Sequence, residues 1–302
     1  MDKVFRNKRA VFLFLLPSLV LFAMIIVAPV ILSAYYSTLE WNGAGAQTSV
    51  GVSNYIRLFH DPLFMQSVLH TLVFAAASLC IQLPFALLLA LLLTGPVKKE
   101  RFFTTVYFIP VILSSVVIGH LWMRIYHMNN GLLNVLLRTL GFQNLGRTAW
   151  LGDIRYALGA VVTPVLWQYT GYHMLLFYSG IRSVPTDIYE AARIDGAGFM
   201  RTAGAITLPL LKPIIQVCVT FAAVGSMKVY DLVKVLTDGG PFNATDVMTT
   251  LLVRTMIYPG NNYGYGSAMA MILIAVCFIL YHVLGWLFRE PAQRSVRRGW
   301  NG

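Results

Sequence analysis

The chain has few charged side chains. Asp, Glu, Lys and Arg make up 12% of its 302 residues, whereas they make up about a quarter of an ordinary soluble domain. Apolar residues account for 57% of the chain, and the mean hydropathy is +0.67. This composition excludes an ordinary soluble protein and indicates one that lies in a lipid bilayer.

The sequence also has no phosphate-binding loop. Glycine is never followed by lysine, so the motif G-x-x-x-x-G-K-[ST], which holds nucleotide phosphates, does not occur. Any process driven by ATP would therefore need ATP hydrolysis on another polypeptide. A self-contained ATPase is therefore not predicted, and we assign this chain no catalytic residues and no cofactor of its own; that it is no enzyme is what the family resemblance described below implies.

Cysteine and histidine show no spacing that suggests a metal site or a disulfide. Cys80, Cys218 and Cys277 lie in separate apolar runs, which predicts buried or lipid-facing thiols. The six histidines form no H-x-x-x-H or H-E-x-x-H pattern. A zinc enzyme is therefore not predicted.

Long uncharged runs fill much of the chain instead. About 20 apolar residues cross the hydrocarbon core as a helix, because a helix satisfies its own backbone hydrogen bonds in lipid. The run 213–227 is short and crosses only if its helix continues through Lys228 and Asp231. We predict an all-α integral membrane protein with six spanning helices in a single transmembrane domain, residues 1–302. The other five runs are 10–39, 62–97, 102–123, 156–181 and 256–288.

The net charge of +11 is best explained by membrane orientation, and no nucleic-acid partner is expected. Most basic residues fall on one side if the N-terminus is cytoplasmic, as the positive-inside rule requires. The rule predicts that both termini are cytoplasmic, although three outward arginines between 138 and 155 oppose it. The first apolar run is too long for a signal peptide and lacks a clear A-x-A cleavage site, so we expect a retained first helix.

A charged block separates two of the apolar runs. It reads YEAARIDGAGFMRTAGAITLPLLKP over residues 189–213 and follows the helix-start residues SVPTD. Asp187 and Glu190, three residues apart, stand in capping-box register. These signals predict a short helix over 188–195, within a cytoplasmic loop of about 183–212.

Gly196 can end this short helix, because glycine adopts positive φ at little cost. A second helical segment is expected to start near Gly198, which gives a helix-turn-helix on the cytoplasmic face. Small residues would let another protein's backbone approach closely, with charged side chains setting the register. Composition alone leaves open that the loop only packs against its own bundle. The small residues are Ala191, Ala192, Ala197 and Gly198, and the charged ones are Glu190, Arg193 and Asp195.

The block resembles the EAA loop of ABC-importer permeases. That pattern is E-A-A, three residues, G, nine residues, I, one residue, L-P. The matching positions are Glu190, Ala191, Ala192, Gly196, Ile206, Leu208 and Pro209. Other stretches, among them FIPVILSSVVIG, WQYTGYHM and YGYGSAMAM, are similar to the carbohydrate-uptake branch. The basic N-terminus and the LTDGGP loop resemble the MalF-like member of a two-permease pair.

The resemblance implies a fold, a function and partners. The fold would be the six-helix bundle of a type I ABC importer permease in a bacterial plasma (inner) membrane. The chain would help to translocate a sugar or oligosaccharide. Its partners would be a second, MalG-like permease, a dimer of ATP-binding subunits that bind ATP and Mg, and an extracytoplasmic sugar-binding protein. The short helix would be the coupling helix, docked in the ATPase through Glu190, Ala191, Ala192, Asp195 and Gly196.

Polar and aromatic residues within the spans are candidates for the substrate pathway. A sugar site needs hydrogen-bonding side chains and aromatic faces, although helix packing or an aromatic belt would also explain each residue singly. Gly171 is expected to let a sugar approach the backbone, and His173 stands where relatives often carry a small polar residue. The other candidates are Ser114, Ser115, Trp167, Tyr172 and Ser226.

Lys228 and Asp231 are charges in an apolar run, where charge is costly and usually functional. Three residues apart on a helix, they would share a face and could pair, so they either line the path or form a structural ion pair. With His173 they also suggest a rival, an ion-gradient-driven secondary transporter, although the internal repeats of such folds are not evident. A non-transporting scaffold or sensor is a third alternative.

Overall fold

The computed structural model describes residues 8–95, 97–257 and 261–288. The described part of the chain is mostly helical. In chain order the helices of its first half are α1 (Lys8–Phe22), α2 (Ala28–Tyr36), α3 (Ser53–His60), α4 (Pro62–Ala77), α5 (Leu83–Leu93), α6 (Glu100–Ile112), α7 (Ser115–Ile125) and α8 (Leu132–Thr139). Those that follow are α9 (Ile154–Arg182), α10 (Thr186–Ile194), α11 (Phe199–Thr202), α12 (Leu208–Leu210), α13 (Lys212–Met227), α14 (Asp231–Leu236), α15 (Met248–Ile257) and α16 (Tyr263–Leu287).

Single π-helical turns join consecutive helices without breaking them. They are Ala23–Val27 between α1 and α2, Ser78–Gln82 between α4 and α5, and Ala203–Thr207 between α11 and α12. Each is followed by a proline in the first turn of the next helix. A proline ring clashes with the carbonyl four residues earlier, and the wider π turn moves that carbonyl away.

The chain divides into two compact units, one of residues up to Met65 with Leu252–Ala275 and the other of Gln66–Leu251 with residues from Val276. In the first unit, α1, the π turn and α2 form the apolar helix Val11–Tyr36. A two-residue hairpin ladder follows, in which β1 (Leu39–Glu40) pairs antiparallel with β2 (Thr48–Ser49). The expectation of a single domain stays a prediction.

The second unit is built around α9. Its core joins α9 to α5 and α13 and, in a second cluster, to α7 and α14. Asp153 caps the start of α9, since its carboxylate accepts a hydrogen bond from the backbone N–H of Arg155 at 3.0 Å. The Arg155 side chain donates two further bonds to this carboxylate, at 3.1 and 2.8 Å, and they lower the pKa of Asp153.

The spans only partly follow the predicted runs. Val11–Tyr36, Pro62–Leu93 and Tyr263–Leu287 are each long and apolar enough to cross a membrane. α9 has 29 residues, enough to cross, but its polar residues set it apart from these three helices. The count of six spans stays a prediction. The basic N-terminal residues 1–7 and C-terminal residues 289–302, which carry much of the orientation argument, lie outside the described residues.

The run 102–123 is not one straight helix, contrary to expectation. α6 and α7 meet at 101°, because Leu113 and Ser114 take extended backbone conformations. The Ser114 hydroxyl then accepts from the N–H of Val116 at 3.3 Å and caps α7. α11–α12 and α13 form a second bent pair, at 74°.

Candidate functional site

The short helix predicted over 188–195 is α10, at Thr186–Ile194. Its end is also as predicted, because Gly196 has φ of +72°. The N–H of Gly196 donates to the carbonyl of Arg193 at 3.0 Å, and the N–H of Ala197 donates to that of Ala192 at 2.9 Å. These two bonds form a Schellman motif. The second segment, α11, starts after Gly198 as expected.

The predicted capping box at the start of α10 is wrong. The N-cap residue is Pro185, and no side chain caps the helix. Asp187 lies inside the first turn, where the positive end of the helix dipole stabilises its carboxylate. Proline presets the backbone at this entry, so α10 begins earlier than the capping-box register implied.

The small residues of α10 do not all face outward. Ala192 is buried, which corrects the expectation that it offers a surface to a partner, whereas Ala191 and Asp195 are exposed. The outward surface carries an apolar residue that sequence reasoning missed, Ile194, which is 86% exposed. Beyond the turn, Met200 of α11 is 81% exposed. The loop therefore presents apolar side chains that its own unit leaves uncovered.

The inner side of α10 contacts the π turn between α11 and α12. The hydroxyl groups of Tyr189 and Thr207 lie 3.4 Å apart, and Thr207 ends the π turn before α12. Glu190 and Arg193 line a cavity of about 520 Å³ under this loop. α10 is thus connected through Thr207 to the segment that leads into α13.

A second cavity, of about 470 Å³, lies within the second unit. We call it the central cavity. Its walls come from the π turn after α4, the start of α7, the middle of α9, the end of α13 and the start of α14. Predicted pathway residues on its walls are Ser115, Tyr172, His173, Ser226, Lys228 and Asp231. The structure thus brings six of the predicted residues together.

Three predicted pathway residues lie off this cavity. Ser114 caps α7, as described above. Trp167 packs its indole edge-on against that of Trp122, with ring centroids 5.8 Å apart. Gly171 does not open the backbone to a solute: a methyl group there would lie 1.9 Å from the carbonyl oxygen of Tyr107. Its role is close packing of α9 against α6, as small residues allow between membrane helices.

Lys228 and Asp231 also differ from expectation. The helix does not continue through them, because α13 ends at Met227 and α14 begins at Asp231. Within the described ranges no N···O distance of 4.0 Å or less joins the two side chains. Both are exposed and both line the central cavity. The structural ion pair is therefore wrong, and the break between α13 and α14 presents both charges to the cavity.

Sequence reasoning missed several cavity residues. Gln168 and Tyr169 on α9 precede Tyr172 by four and three residues, so helical periodicity from Tyr172 would have found them. The ring centroids of Phe221 and Tyr172 lie 6.4 Å apart, and both residues line the cavity. The helical spacing that relates Gln168 and Tyr169 to Tyr172 was visible in the sequence, but it could be used only once Tyr172 was known to line the cavity.

Hydrogen bonds fix the cavity walls. The hydroxyl of Ser226 lies 2.7 Å from the carbonyl oxygen of Ala222 and 3.0 Å from Oγ of Ser78, which ties α13 to the π turn. The Gln82 amide donates to the carbonyl of Leu166 on α9 at 3.1 Å. The π turn thus places Ser78 and Gln82 on one wall, each bonded to a different neighbouring helix.

The fold is that of a solved permease structure. It matches the solved structure of a bacterial ABC transporter involved in the import of the acidic polysaccharide alginate, with TM-score 0.81, 21% identity, and 95% and 97% of the two chains covered. The sequence shows the family. Residues 82–291 match the model of the binding-protein-dependent transport system inner membrane component family, and the chain belongs to that family.

Full-length relatives agree with this assignment. The chain is 36% identical over 278 residues to the probable ABC transporter permease protein YurN of Bacillus subtilis, covering 91% of this chain and 94% of the relative. It is 30% identical over 291 residues to the trehalose/maltose transport system permease protein MalF of Thermococcus litoralis, covering 95% and 97%. The chain is therefore a membrane permease subunit of an ABC transporter and not an enzyme, and nothing supports the ion-gradient alternative.

Proposed function

We propose that this chain is one of two permease subunits of an ATP-driven importer, and that its substrate is a sugar or oligosaccharide. The observation that carries the proposal is the central cavity. Its volume of about 470 Å³ falls in the range of about 300–1,000 Å³ that small-molecule sites occupy. The solute would come from an extracytoplasmic binding protein, as the family's description suggests.

The chemistry of the cavity supports a sugar. Tyr169, Tyr172 and Phe221 offer aromatic faces, and Ser115 and Gln168 offer hydrogen-bonding groups. This is the combination that hydroxyl groups on an apolar ring require. The relatives named for trehalose/maltose and for diacetylchitobiose, the latter from Streptomyces coelicolor at 30% identity with 86% of this chain covered, support the same substrate class.

The driving force would enter through α10. The exposed side chain of Ile194 and the small Ala191 suit a cleft on a separate ATPase subunit, which would bind ATP and Mg while this chain carries no cofactor. Closure of an ATPase dimer would move α10, and the contact between Tyr189 and Thr207 would transmit the movement to α13. Because α13 carries Ser226, its displacement would reshape the central cavity in a two-state bundle.

The distribution of the basic residues in the sequence supports one orientation in the membrane. We place both termini and the loop of about 183–212, including the coupling residues Glu190, Asp195 and Gly196, in the cytoplasm of a bacterial cell. The outer ends of the spans would meet the binding protein. The second permease, MalG-like, would complete the pathway from the other side.

The test is purification of the complete complex and measurement of ATP hydrolysis with loaded binding protein. Maltose, trehalose and N,N′-diacetylchitobiose are offered in turn, and at least one is expected to stimulate hydrolysis and to accumulate in proteoliposomes. A complex without its ATPase should accumulate none. Uptake that persists without the ATPase would refute the proposal.

A further inference from the structure

Two buried atoms on the wall of the central cavity have no hydrogen-bond partner in the described part of the chain. They are Oε1 of Gln168 and Nε2 of His173. Gln168 is 3% exposed and His173 is 4% exposed, and both residues line the cavity. A third such atom, Nε1 of Trp122, belongs to a residue off the cavity. Buried polar atoms without partners are rare in native structures, so each needs an explanation.

Both cavity atoms are hydrogen-bond acceptors. The amide oxygen of Gln168 can only accept. Nδ1 of His173 lies 3.1 Å from the carbonyl oxygen of Tyr169, and a carbonyl can only accept, so Nδ1 carries the proton. Nε2 of the neutral ring is then the acceptor. The cavity wall therefore holds two unmatched acceptors on one helix, α9.

We propose that Gln168 and His173 form an acceptor pair that selects the transported solute by the hydroxyl groups it donates. This inference rests on the proposed function and adds the residues that set specificity. The wall closes over both atoms in the present conformation, so the two side chains must turn toward the solute when the bundle changes state. A site built to bond a hydroxyl rejects an analogue that lacks it, because the buried acceptor stays unpaired.

Bound water is the ordinary alternative for such atoms, since buried waters often satisfy polar groups. The two explanations differ in what they predict for transport. Water would satisfy Gln168 and His173 whatever solute is present, so removing either acceptor would leave the choice of solute unchanged. Direct bonds to the solute require that the loss depend on which hydroxyl group the solute carries.

The experiment uses the complete complex in proteoliposomes and measures saccharide accumulated per ATP hydrolysed. Maltose, trehalose and N,N′-diacetylchitobiose are the probes. The variants Gln168→Met and His173→Phe remove the acceptors at similar volume. The controls are Gln216→Leu on α13 and His120→Phe on α7, which lie outside the cavity.

Each acceptor variant should lose about fivefold to thirtyfold in uptake per ATP, which corresponds to one unmade hydrogen bond. ATPase stimulation by loaded binding protein should persist, and this shows that the complex has assembled. The controls should stay within about twofold of the unaltered complex. Unchanged uptake in both acceptor variants would overturn the proposal.

Analogues of the transported probe make the test independent of folding. Each hydroxyl is replaced in turn by fluorine, which keeps the volume small and removes the donor. The unaltered complex should lose uptake when either of two hydroxyl groups is replaced, one bonded by Gln168 and one by His173. For the analogue that lacks the hydroxyl bonded by Gln168, Gln168→Met should take up no less than the unaltered complex does. The same should hold for His173→Phe and the analogue that lacks the other hydroxyl. If the loss of uptake from the substitution and the loss from the fluorinated analogue add at every hydroxyl position, Gln168 and His173 do not bond hydroxyl groups of the solute. A complex that hydrolyses ATP but accumulates none of the probes would overturn the proposed function, and this inference with it.

Discussion

Replacing Gly171 with alanine tests whether α9 and α6 are held as closely as the structure shows. The added methyl carbon would lie 1.9 Å from the carbonyl oxygen of Tyr107, 2.6 Å from its carbonyl carbon and 3.1 Å from Cα of Phe108. An ordinary carbon–oxygen contact is about 3.3 Å or longer. The two helices must therefore separate by more than about 1 Å.

The cost of that separation can be set from the atoms involved. Overpacking a core ordinarily costs about 1–3 kcal/mol. Here backbone meets backbone, so no rotamer change can relieve the contact, and we expect the upper end, about 3 kcal/mol. This lowers the ratio of folded to unfolded protein by about a hundredfold. Because Gln168 and Tyr172 flank Gly171 on α9, the shift should also displace the cavity wall and lower transport.

A matched control lies on the same helix. Gly159 has no atom within 4 Å of where its Cβ would stand, so Gly159→Ala should be neutral or gain up to about 1 kcal/mol from helix propensity. The assay is the melting temperature of the detergent-purified complex, together with its monodisperse yield. Equal stability of the two variants would refute the packing argument.

The remaining predictions concern the loops. Asn134 is fully buried, donates to the carbonyls of Met128 and Thr148 at 2.9 Å each, and accepts from the indole N–H of Trp150. Asn134→Ala should therefore lower the free energy of unfolding by about 1–3 kcal/mol. The melting temperature of this variant should be lower than that of the exposed control, Asn144→Ala. Gly196→Ala places a side chain at φ +72° and should destabilise the turn by about 1–2 kcal/mol, so uptake per ATP should fall; unchanged uptake would show that this turn does not transmit movement. Ile194→Asp should leave the melting temperature of the isolated permease unchanged, because the side chain is 86% exposed, but should weaken co-purification of the ATPase; full retention of the ATPase would contradict the docking role.

Local chemistry is what the sequence predicts well. Gly196 was predicted to end α10 because positive φ is a property of one residue and its neighbours. Three of the predicted runs are long apolar helices in the structure for a similar reason, since composition alone decides whether a segment is apolar enough. Six of the nine candidate pathway residues line one cavity, and the sequence suggested them because polar groups stand out in apolar runs; their role in transport stays a prediction.

Features that depend on packing were beyond the sequence. Ala192 was expected to face a partner, but which side of α10 is covered depends on Tyr189 and Thr207, which are far apart in the chain. Lys228 and Asp231 were placed on one helix because no proline or glycine lies between them to mark the break. Gly171 was assigned to solute contact because a sequence does not show which neighbour approaches a glycine.

The π turn between α4 and α5 holds one residue more than an α-helix of the same height would need. That extra residue sets the rotation of α4 relative to α5, by about 100° at 3.6 residues per turn. Deleting one residue between Ser78 and Gln82 should turn α4 relative to α5, so that these two side chains no longer reach the same wall, and should bring the carbonyl four residues before Pro84 back against the proline ring. The wide turn that accommodates Pro84, a residue that does not line the central cavity, thus orients Ser78 and Gln82, which do.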